Sequence, residues 1–214
     1  MTIHICGDST AASYPPDRAP LTGWGQLLGQ FLPDIRTDNR AMAGRSTKSF
    51  LSEGRLQQIE GLLAPGDLLL IQFGHNDASD LVWRRTDPWT SYLRNLSIFA
   101  DTALLHGAKP VLMTSICCRL WKDGVLQESL GSYPAAVRTL AARKNLPLID
   151  LYEKSAALVR SLGPEDSKKL YMHVEKGEFP AFPEGQADDT HTRRAGAEAY
   201  ARMTAEALKA LGLV

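Results

Sequence analysis

The chain has 214 residues, of which 44% are hydrophobic and 22% are charged, and its 24 basic and 24 acidic residues give zero formal net charge. These proportions are ordinary for a folded globular protein and too apolar for a disordered one. The charge balance argues against a general nucleic-acid binder and against a polybasic protein of membrane surfaces. The even composition, without Gly/Ser-rich linkers, predicts one domain over residues 1–214.

The N-terminal segment and the cysteines bear on compartment and cofactors. No apolar run approaches the roughly 18 residues of a membrane span, and the first residues do not resemble a secretory signal. We therefore expect a cytoplasmic protein without a membrane segment. The odd cysteine count, Cys6 with the adjacent Cys117 and Cys118, predicts buried free thiols and no zinc site. No metal and no cofactor is expected, and the sequence leaves the oligomeric state open.

Short apolar segments alternate with amphipathic ones along the whole chain. The predicted strands are residues 3–6, 35–42, 68–73, 110–114 and 146–149. The predicted helices have apolar stripes over residues 24–31, 56–63, 92–104, 137–141 and 195–211. This alternation predicts an α/β fold with a five-stranded parallel sheet covered by helices on both faces. In such sheets ligands bind beyond the carboxyl ends of the strands, so the loops there should hold the chemistry.

Four loops at this edge contain polar side chains. They are Gly7-Asp8-Ser9-Thr10, Ala43-Gly44-Arg45-Ser46, Gly74-His75-Asn76-Asp77 and Asp188-Asp189-Thr190-His191. A serine hydroxyl becomes a good nucleophile when an imidazole takes its proton, and a carboxylate orients that imidazole. The oxyanion of acyl transfer requires positioned donors, which the amides of Ser9 and Gly44 and the side chain of Asn76 could supply. Each residue alone has an ordinary interpretation as a cap or turn residue, but the combination favours an esterase.

The same four blocks resemble the signature blocks of the SGNH (GDSL-type) hydrolases, over nearly the whole chain. Within that superfamily, the first three blocks are similar to the rhamnogalacturonan acetylesterase branch. The resemblance implies a three-layer α/β/α fold of the flavodoxin-like kind. It implies Ser9 as nucleophile, His191 as base and Asp188 as its orienting acid, with Ser9, Gly44 and Asn76 forming the oxyanion hole. It also implies acetylated rhamnogalacturonan or related pectic oligosaccharides as substrate.

Aromatic and basic residues near the loops after the third and fourth strands are candidate substrate contacts. Tryptophan rings can stack on sugars, and arginines suit a uronic acid carboxylate near the ester. The candidates are His75, Trp83, Arg84, Arg119 and Trp121.

Other functions stay open at this point. A broader carbohydrate acetylesterase or a short-chain ester or thioester hydrolase would use the same catalytic residues. A metal-dependent hydrolase could assemble oxygen and nitrogen ligands from Asp8, His75, Asp77, Asp188, Asp189 and His191. A carbohydrate-binding module would explain the tryptophans but has no use for the Ser/Asp/His set. No G-x-S-x-G motif supports an α/β-hydrolase.

The local geometry around His191 favours one aspartate as its partner. Residues i and i+3 lie together in a turn that enters a helix, whereas i and i+2 share a face of an extended chain. Because a helix is predicted from residue 195, we expect a turn at 188–191 that brings Asp188 to His191. Asp189 should then face solvent or cap nearby amides, and Asp150 is a remote alternative. Ser9, in a small polar loop, should have an exposed side chain.

Overall fold

A computed structural model describes all residues of the chain, Met1–Val214. The strands are β1 (Thr2–Gly7), β2 (Arg36–Asn39), β3 (Leu68–Gln72), β4 (Lys109–Met113), β5 (Trp121–Lys122), β6 (Val125–Leu126), β7 (Leu148–Ile149), β8 (Tyr171–Val174) and β9 (Gln186–Thr192). The α-helices are α1 (Trp24–Phe31), α2 (Thr47–Ser52), α3 (Arg55–Glu60), α4 (Ser91–Leu105), α5 (Tyr133–Lys144), α6 (Leu151–Asp166) and α7 (Arg194–Ala210).

The central sheet has five parallel strands in the order β2-β1-β3-β4-β7. The predicted five-stranded parallel sheet is confirmed, and the order is that of flavodoxin-like folds. The chain winds outward in one direction from β1 and in the other from β3, so these neighbouring strands form the switch point of the topology. A crevice opens beyond the carboxyl ends of strands at such a point, where ligands bind in folds of this type.

The apolar side chains of β3 show how the three layers form. Leu68 and Leu70 belong to an apolar cluster with α1, α6 and α7, whereas Leu69 and Ile71 belong to a second cluster with α2, α3, α4 and α5. Successive side chains of a strand point to opposite faces of the sheet. Every residue of β3 is buried, as a central strand between two helical layers requires. The predicted α/β/α layering is therefore confirmed.

The structure differs from the sequence predictions in three regions. The helix predicted over 56–63 is the shorter α3 (Arg55–Glu60), and α2, which begins at the capping box of Ser46 and Ser49, was not predicted. Helix α6, capped by Asp150, was not predicted. The β5–β6 and β8–β9 hairpins were not predicted either, because their strands are short or polar and lack an apolar run.

None of the helices combines the length and the apolar character needed to cross a membrane. All three cysteines are free and buried, as predicted.

Candidate active site

Ser9 lies in the turn that follows β1, and polar contacts beneath it fix this turn. The Asp8 carboxylate accepts hydrogen bonds from the backbone N–H and the hydroxyl of Thr10, at 3.0 and 2.8 Å. Thr10 also donates to the side chain of Gln72 at the end of β3, which ties the turn to the neighbouring strand. The Tyr14 hydroxyl donates to the carbonyl oxygen of Ser9 at 2.8 Å. Ser9 is only 7% exposed, so the expectation of an exposed side chain is wrong.

His191 lies between the hydroxyl of Ser9 and the carboxylate of Asp188. Its Nε2 is 2.9 Å from Ser9 Oγ, and its Nδ1 is 2.7 Å from Asp188 Oδ2. These distances suit a neutral imidazole that carries its proton on Nδ1, donates it to the carboxylate and accepts the serine proton at Nε2. Residues 182 positions apart in the sequence thus form one chain of hydrogen bonds. The structure brings together the three residues to which the resemblance assigned the catalytic roles.

The Asp188 carboxylate accepts several hydrogen bonds. Its Oδ1 accepts from the backbone N–H groups of Thr190 and His191 at 2.8 and 3.0 Å, and its Oδ2 also accepts from the Gln186 amide at 3.2 Å. Burial by itself would raise the pKa of Asp188, but the hydrogen bonds from His191 and Thr190 and the nearby imidazole outweigh it and lower the pKa to about 2. Asp188 is therefore ionised under all ordinary conditions.

Asp188 reaches His191 through an irregularity in the β8–β9 hairpin. Tyr171 pairs with Thr192, whereas the next residue, Met172, pairs with Asp188. Residues 189–191 are therefore extra on one strand and bulge out of the ladder. The chain turns at 188–191 as predicted, but it turns as a bulge within a strand and not as the entry to α7, which begins at Arg194.

Gly44 lies in a loop that is bonded to both neighbouring strand ends. The Met42 amide donates to the Gly7 carbonyl at the end of β1, and the Asn76 side chain after β3 donates to the Arg45 carbonyl at 3.0 Å. Gly44 therefore lies between the loops of Ser9 and Asn76. Its φ of +79° is in the left-handed region, which favours glycine. A Cβ at this position would meet no atom within 4 Å, so backbone conformation, and not crowding, selects glycine here.

Asn76 is 8% exposed and has an oriented side chain. One of its two amide protons points to the Arg45 carbonyl, which leaves the second proton for another acceptor. The next residue, Asp77, anchors the loop, because its carboxylate accepts from the backbone and hydroxyl of Thr47 and from the hydroxyl of Thr86. Asn76 is thus held on a fixed loop at the switch point of the sheet.

Residues 5–199 match the model of the GDSL-like Lipase/Acylhydrolase family. The chain belongs to this family. It is a carboxylic ester hydrolase, and the expected resemblance to GDSL-type hydrolases is confirmed.

Its relatives include two curated proteins of Bacillus subtilis (strain 168). The chain is 42% identical to "Rhamnogalacturonan acetylesterase RhgT" over 100% of its own length and 91% of the relative's. It is 39% identical to "Probable rhamnogalacturonan acetylesterase YesY" over 99% and 94%. The crystal structure of YxiM from Bacillus subtilis superimposes with a TM-score of 0.81 at 29% identity, and the match covers 99% of this chain and 56% of that one.

In this GDSL-family hydrolase, a cavity of about 230 Å³ adjoins the catalytic histidine candidate. Asp188 and His191 line it, together with Tyr14, Arg18, Leu21, Ala43, Met172, Phe182 and Gln186. None of the five residues predicted to contact substrate is among them. The residues that the sequence reasoning missed come from the loop after β1 and from the β8–β9 hairpin. These residues are close to Ser9 or His191 in the sequence, and this closeness could have identified them as candidates to line the site.

Arg119 is buried and has its donors occupied inside the protein. Its Nη1 is 2.7 Å from Asp189 Oδ1, its Nε donates to the Ser167 hydroxyl at 3.0 Å, and its Nη2 donates to the Pro164 carbonyl. The Arg119 side chain is only 7% exposed, so it does not face the cavity. Asp189, which was expected to face solvent or to cap nearby amides, is 37% exposed and pairs instead with Arg119 and with His173, the latter at 2.7 Å. The structure therefore corrects both expectations: Arg119 and Asp189 hold β9 in place.

The other predicted contacts also lie outside the cavity. Trp83 is 51% exposed and has the Arg84 guanidinium over its ring at 5.4 Å. Trp121 packs against the apolar core and donates to Ser167 at 3.3 Å. His75 Nδ1 is 3.7 Å from the Cys118 thiol. Burial lowers the pKa of His75, but the neighbouring Cys118 and the carboxylates of Asp8 and Asp188 raise it more, to about 9.

The six residues that could have formed a metal site do not converge. No group of three or more histidine, cysteine, aspartate or glutamate side chains is arranged to hold a metal ion. The Asp77 carboxylate contacts Thr47 and Thr86, and the Asp189 carboxylate contacts Arg119 and His173. The ligand set considered for a metal-dependent hydrolase is therefore not assembled in this fold.

Proposed function

We propose that this chain removes acetyl groups from acetylated rhamnogalacturonan or related pectic oligosaccharides, through an acyl-enzyme on Ser9. The observation that carries the proposal is the hydrogen-bonded series Asp188–His191–Ser9, with distances of 2.7 and 2.9 Å. Full-length similarity to two proteins named as rhamnogalacturonan acetylesterases supports the substrate class.

The first half of the reaction transfers the acetyl group to the enzyme. His191 Nε2 takes the proton of Ser9 Oγ as the oxygen attacks the acetyl carbonyl carbon, and Asp188 stabilises the imidazolium that forms. The carbonyl oxygen becomes an oxyanion, which the amides of Ser9 and Gly44 and the free proton of Asn76 stabilise. When the intermediate collapses, the ester bond to the sugar breaks, and the sugar oxygen leaves with the proton from His191.

The second half releases acetate. A water molecule gives its proton to His191 Nε2 and attacks the carbonyl carbon of acetyl-Ser9. The second tetrahedral intermediate uses the same donors, and its collapse returns the proton to Ser9 Oγ. Asp188, with its pKa near 2, stays ionised throughout, so it serves as an orienting anion and not as a proton carrier.

The surroundings of the site suit a substrate larger than a short acyl ester. Tyr14 and Leu21 line the cavity at His191 and also a neighbouring cavity of about 830 Å³. The larger cavity has apolar walls from proline and aromatic residues, with polar groups between them: Tyr14, Pro15, Pro16, Pro20, Phe179, Lys169 and Arg194. Concave pockets that are mostly apolar, with a few polar groups, are typical of small-molecule sites.

Covalent trapping tests the nucleophile directly. A fluorophosphonate should add one adduct per chain, and peptide mass spectrometry should place it on Ser9. Ser9→Ala should abolish labelling and lower turnover by about 10³-fold or more while the protein stays folded. Ser13→Ala is the matched control, since Ser13 is exposed and lies in the same loop. Labelling of another residue, or full activity of folded Ser9→Ala, would contradict the mechanism.

A substrate panel tests the specificity. The panel contains acetylated rhamnogalacturonan oligosaccharides, acetylated xylooligosaccharides and a short-chain acyl thioester, and acetate or thiol release is measured. A preference for the first substrate supports the proposal. Equal rates on the two saccharides would indicate a broader carbohydrate acetylesterase, and preference for the thioester would indicate a thioesterase.

A further inference from the structure

The Arg18 guanidinium has no partner of opposite charge in the protein. Arg18 lies in the loop between β1 and α1, is exposed, and appears in no ion pair or side-chain hydrogen bond of the structure. Its Cζ lies over the half-buried ring of Phe182, 5.8 Å from the ring centroid. A guanidinium has five N–H donors in a planar arrangement that matches a carboxylate. All five are available to a ligand here.

This unpaired cation lines the same cavity as two of the three catalytic candidates, Asp188 and His191. Arg18 and Phe182 share the cavity of about 230 Å³ with Asp188 and His191. Asp188, the other charged side chain of the lining, already accepts hydrogen bonds from His191, Thr190 and Gln186. Arg18 is therefore the cation that a negatively charged substrate would meet in the cavity beside His191.

Backbone hydrogen bonds hold the two chain segments that contain Arg18 and Phe182 in place before any ligand binds. The Arg18 segment is a short 3₁₀ turn, and the carbonyl of Arg18 accepts a hydrogen bond from the Leu21 amide at 3.0 Å. The Phe182 segment is closed by hydrogen bonds from the Phe182 amide to the Phe179 carbonyl and from the Gly185 amide to the Phe182 carbonyl, at 3.0 and 2.9 Å. Preorganised donors reduce the ordering cost of binding.

We propose that Arg18, stacked on Phe182, binds the carboxylate of a uronic acid residue next to the acetylated sugar. The inference rests on the proposed function for the reaction, and it adds the residue that selects acidic substrates. It replaces the buried Arg119 in the role that the sequence suggested for that arginine. Charge-assisted bidentate pairs of this kind give both affinity and geometric selectivity.

The test compares acidic and neutral forms of one substrate. Acetylated oligogalacturonides are assayed as such and after reduction of their carboxylates to alcohols, with wild type, Arg18→Gln and Arg18→Lys. Arg18→Gln should lower kcat/KM on the acidic form about tenfold or more beyond any loss on the reduced form. This extra loss should come chiefly from a higher KM. Arg18→Lys, which retains the charge without the planar donors, should lie between.

Arg202→Gln is the matched control, because Arg202 is also exposed and also stacks on an aromatic ring, Phe31, at 5.2 Å. It lies on α7 and lines neither cavity, so both substrate forms should react as with wild type. Equal losses of Arg18→Gln on the acidic and reduced forms would overturn the proposal and indicate a structural role. No loss on either form would overturn it as well.

A binding readout separates this inference from the proposed function. Unacetylated oligogalacturonide is used as a competitive inhibitor of 4-nitrophenyl acetate hydrolysis, which needs no saccharide deacetylation. Its inhibition constant should rise about tenfold or more in Arg18→Gln and should also rise with salt in wild type. An inhibition constant that is the same in both proteins overturns the role of Arg18. Failure of wild type to deacetylate any saccharide, with inhibition intact, overturns only the proposed function.

Discussion

Asp188 accepts a hydrogen bond from His191 at 2.7 Å although both residues belong to the same strand, three positions apart. In a regular strand their side chains would point to opposite faces. The bulge of residues 189–191 removes this conflict, and the Asp188 carboxylate itself stabilises the bulge by accepting two of its backbone N–H groups. The same carboxylate thus builds the local conformation and orients the imidazole.

The first prediction compares three aspartates. Asp188→Asn should lower kcat by about 10³-fold or more, because an amide cannot stabilise the imidazolium. Asp150→Asn should leave kcat unchanged and cost at most about 1 kcal/mol of stability, because asparagine can still cap α6 but loses the ion pair with Arg138 at 2.7 Å. Asp189→Asn should weaken the contact with Arg119 and so affect stability more than kcat. Steady-state kinetics and urea unfolding measure both effects. A larger kcat loss in Asp189→Asn than in Asp188→Asn would contradict the assignment.

The second prediction concerns Asn76. Its free amide proton should stabilise charge that exists only in the transition state, so Asn76→Ala should lower kcat about 10²-fold or more with little change in KM. Asn95→Ala is the matched control, because the Asn95 amide also donates a hydrogen bond, to the Thr47 hydroxyl at 3.0 Å, but outside the site. A rise in KM without a fall in kcat would make Asn76 a substrate-binding residue instead.

The third prediction concerns pH. Asp188, with its pKa lowered to about 2, stays ionised well below neutrality, so protonation of the imidazole is the one event that should remove activity on the acid side. The plot of log kcat/KM should therefore fall with a single-proton slope as the pH is lowered and the imidazole is protonated. A profile that stays flat down to about pH 4 would exclude an imidazole base.

The same carboxylate makes a pH-dependent contribution to stability. Because its folded pKa of about 2 lies below the unfolded value, this contribution is present above about pH 4 and is lost as the pH falls through 2. The difference in unfolding free energy between wild type and Asp188→Asn should shrink over that acid range. A difference that is constant from neutral pH to pH 2 would show that Asp188 contributes no such linkage.

The fourth prediction distinguishes a structural Arg119 from a substrate-binding one. Arg119→Met leaves Asp189 without its buried cation and should lower the free energy of unfolding by about 2 kcal/mol. This value is below the usual cost of breaking a buried pair because the Asp189 side chain is 37% exposed to solvent. KM should change little. Arg85→Met is the control, because Arg85 is exposed and makes no side-chain hydrogen bond or ion pair in the structure. A several-fold rise in KM with unchanged stability would restore the original expectation.

The sequence by itself determined the fold class and which residues could do the chemistry. Apolar runs such as Leu68–Phe73 and helical stripes are local patterns, and in a parallel α/β fold they also dictate that the loops after the strands share one edge. That rule was enough to group Ser9, Gly44 and Asn76 at one edge, and the helix predicted from residue 195 was enough to predict a turn at 188–191.

The tertiary structure alone decided which side chains line the cavity beside His191. Arg119 and Arg18 are both arginines in loops after strands, and no local pattern separates them, yet one is enclosed by Asp189, Ser167 and Pro164 and the other lies free in the catalytic cavity. The β8–β9 hairpin, which supplies Asp189, was not predictable from a local pattern because β8 has only four residues and β9 is polar. Burial and pairing of a charge depend on contacts between distant segments, which appear only when the chain is folded.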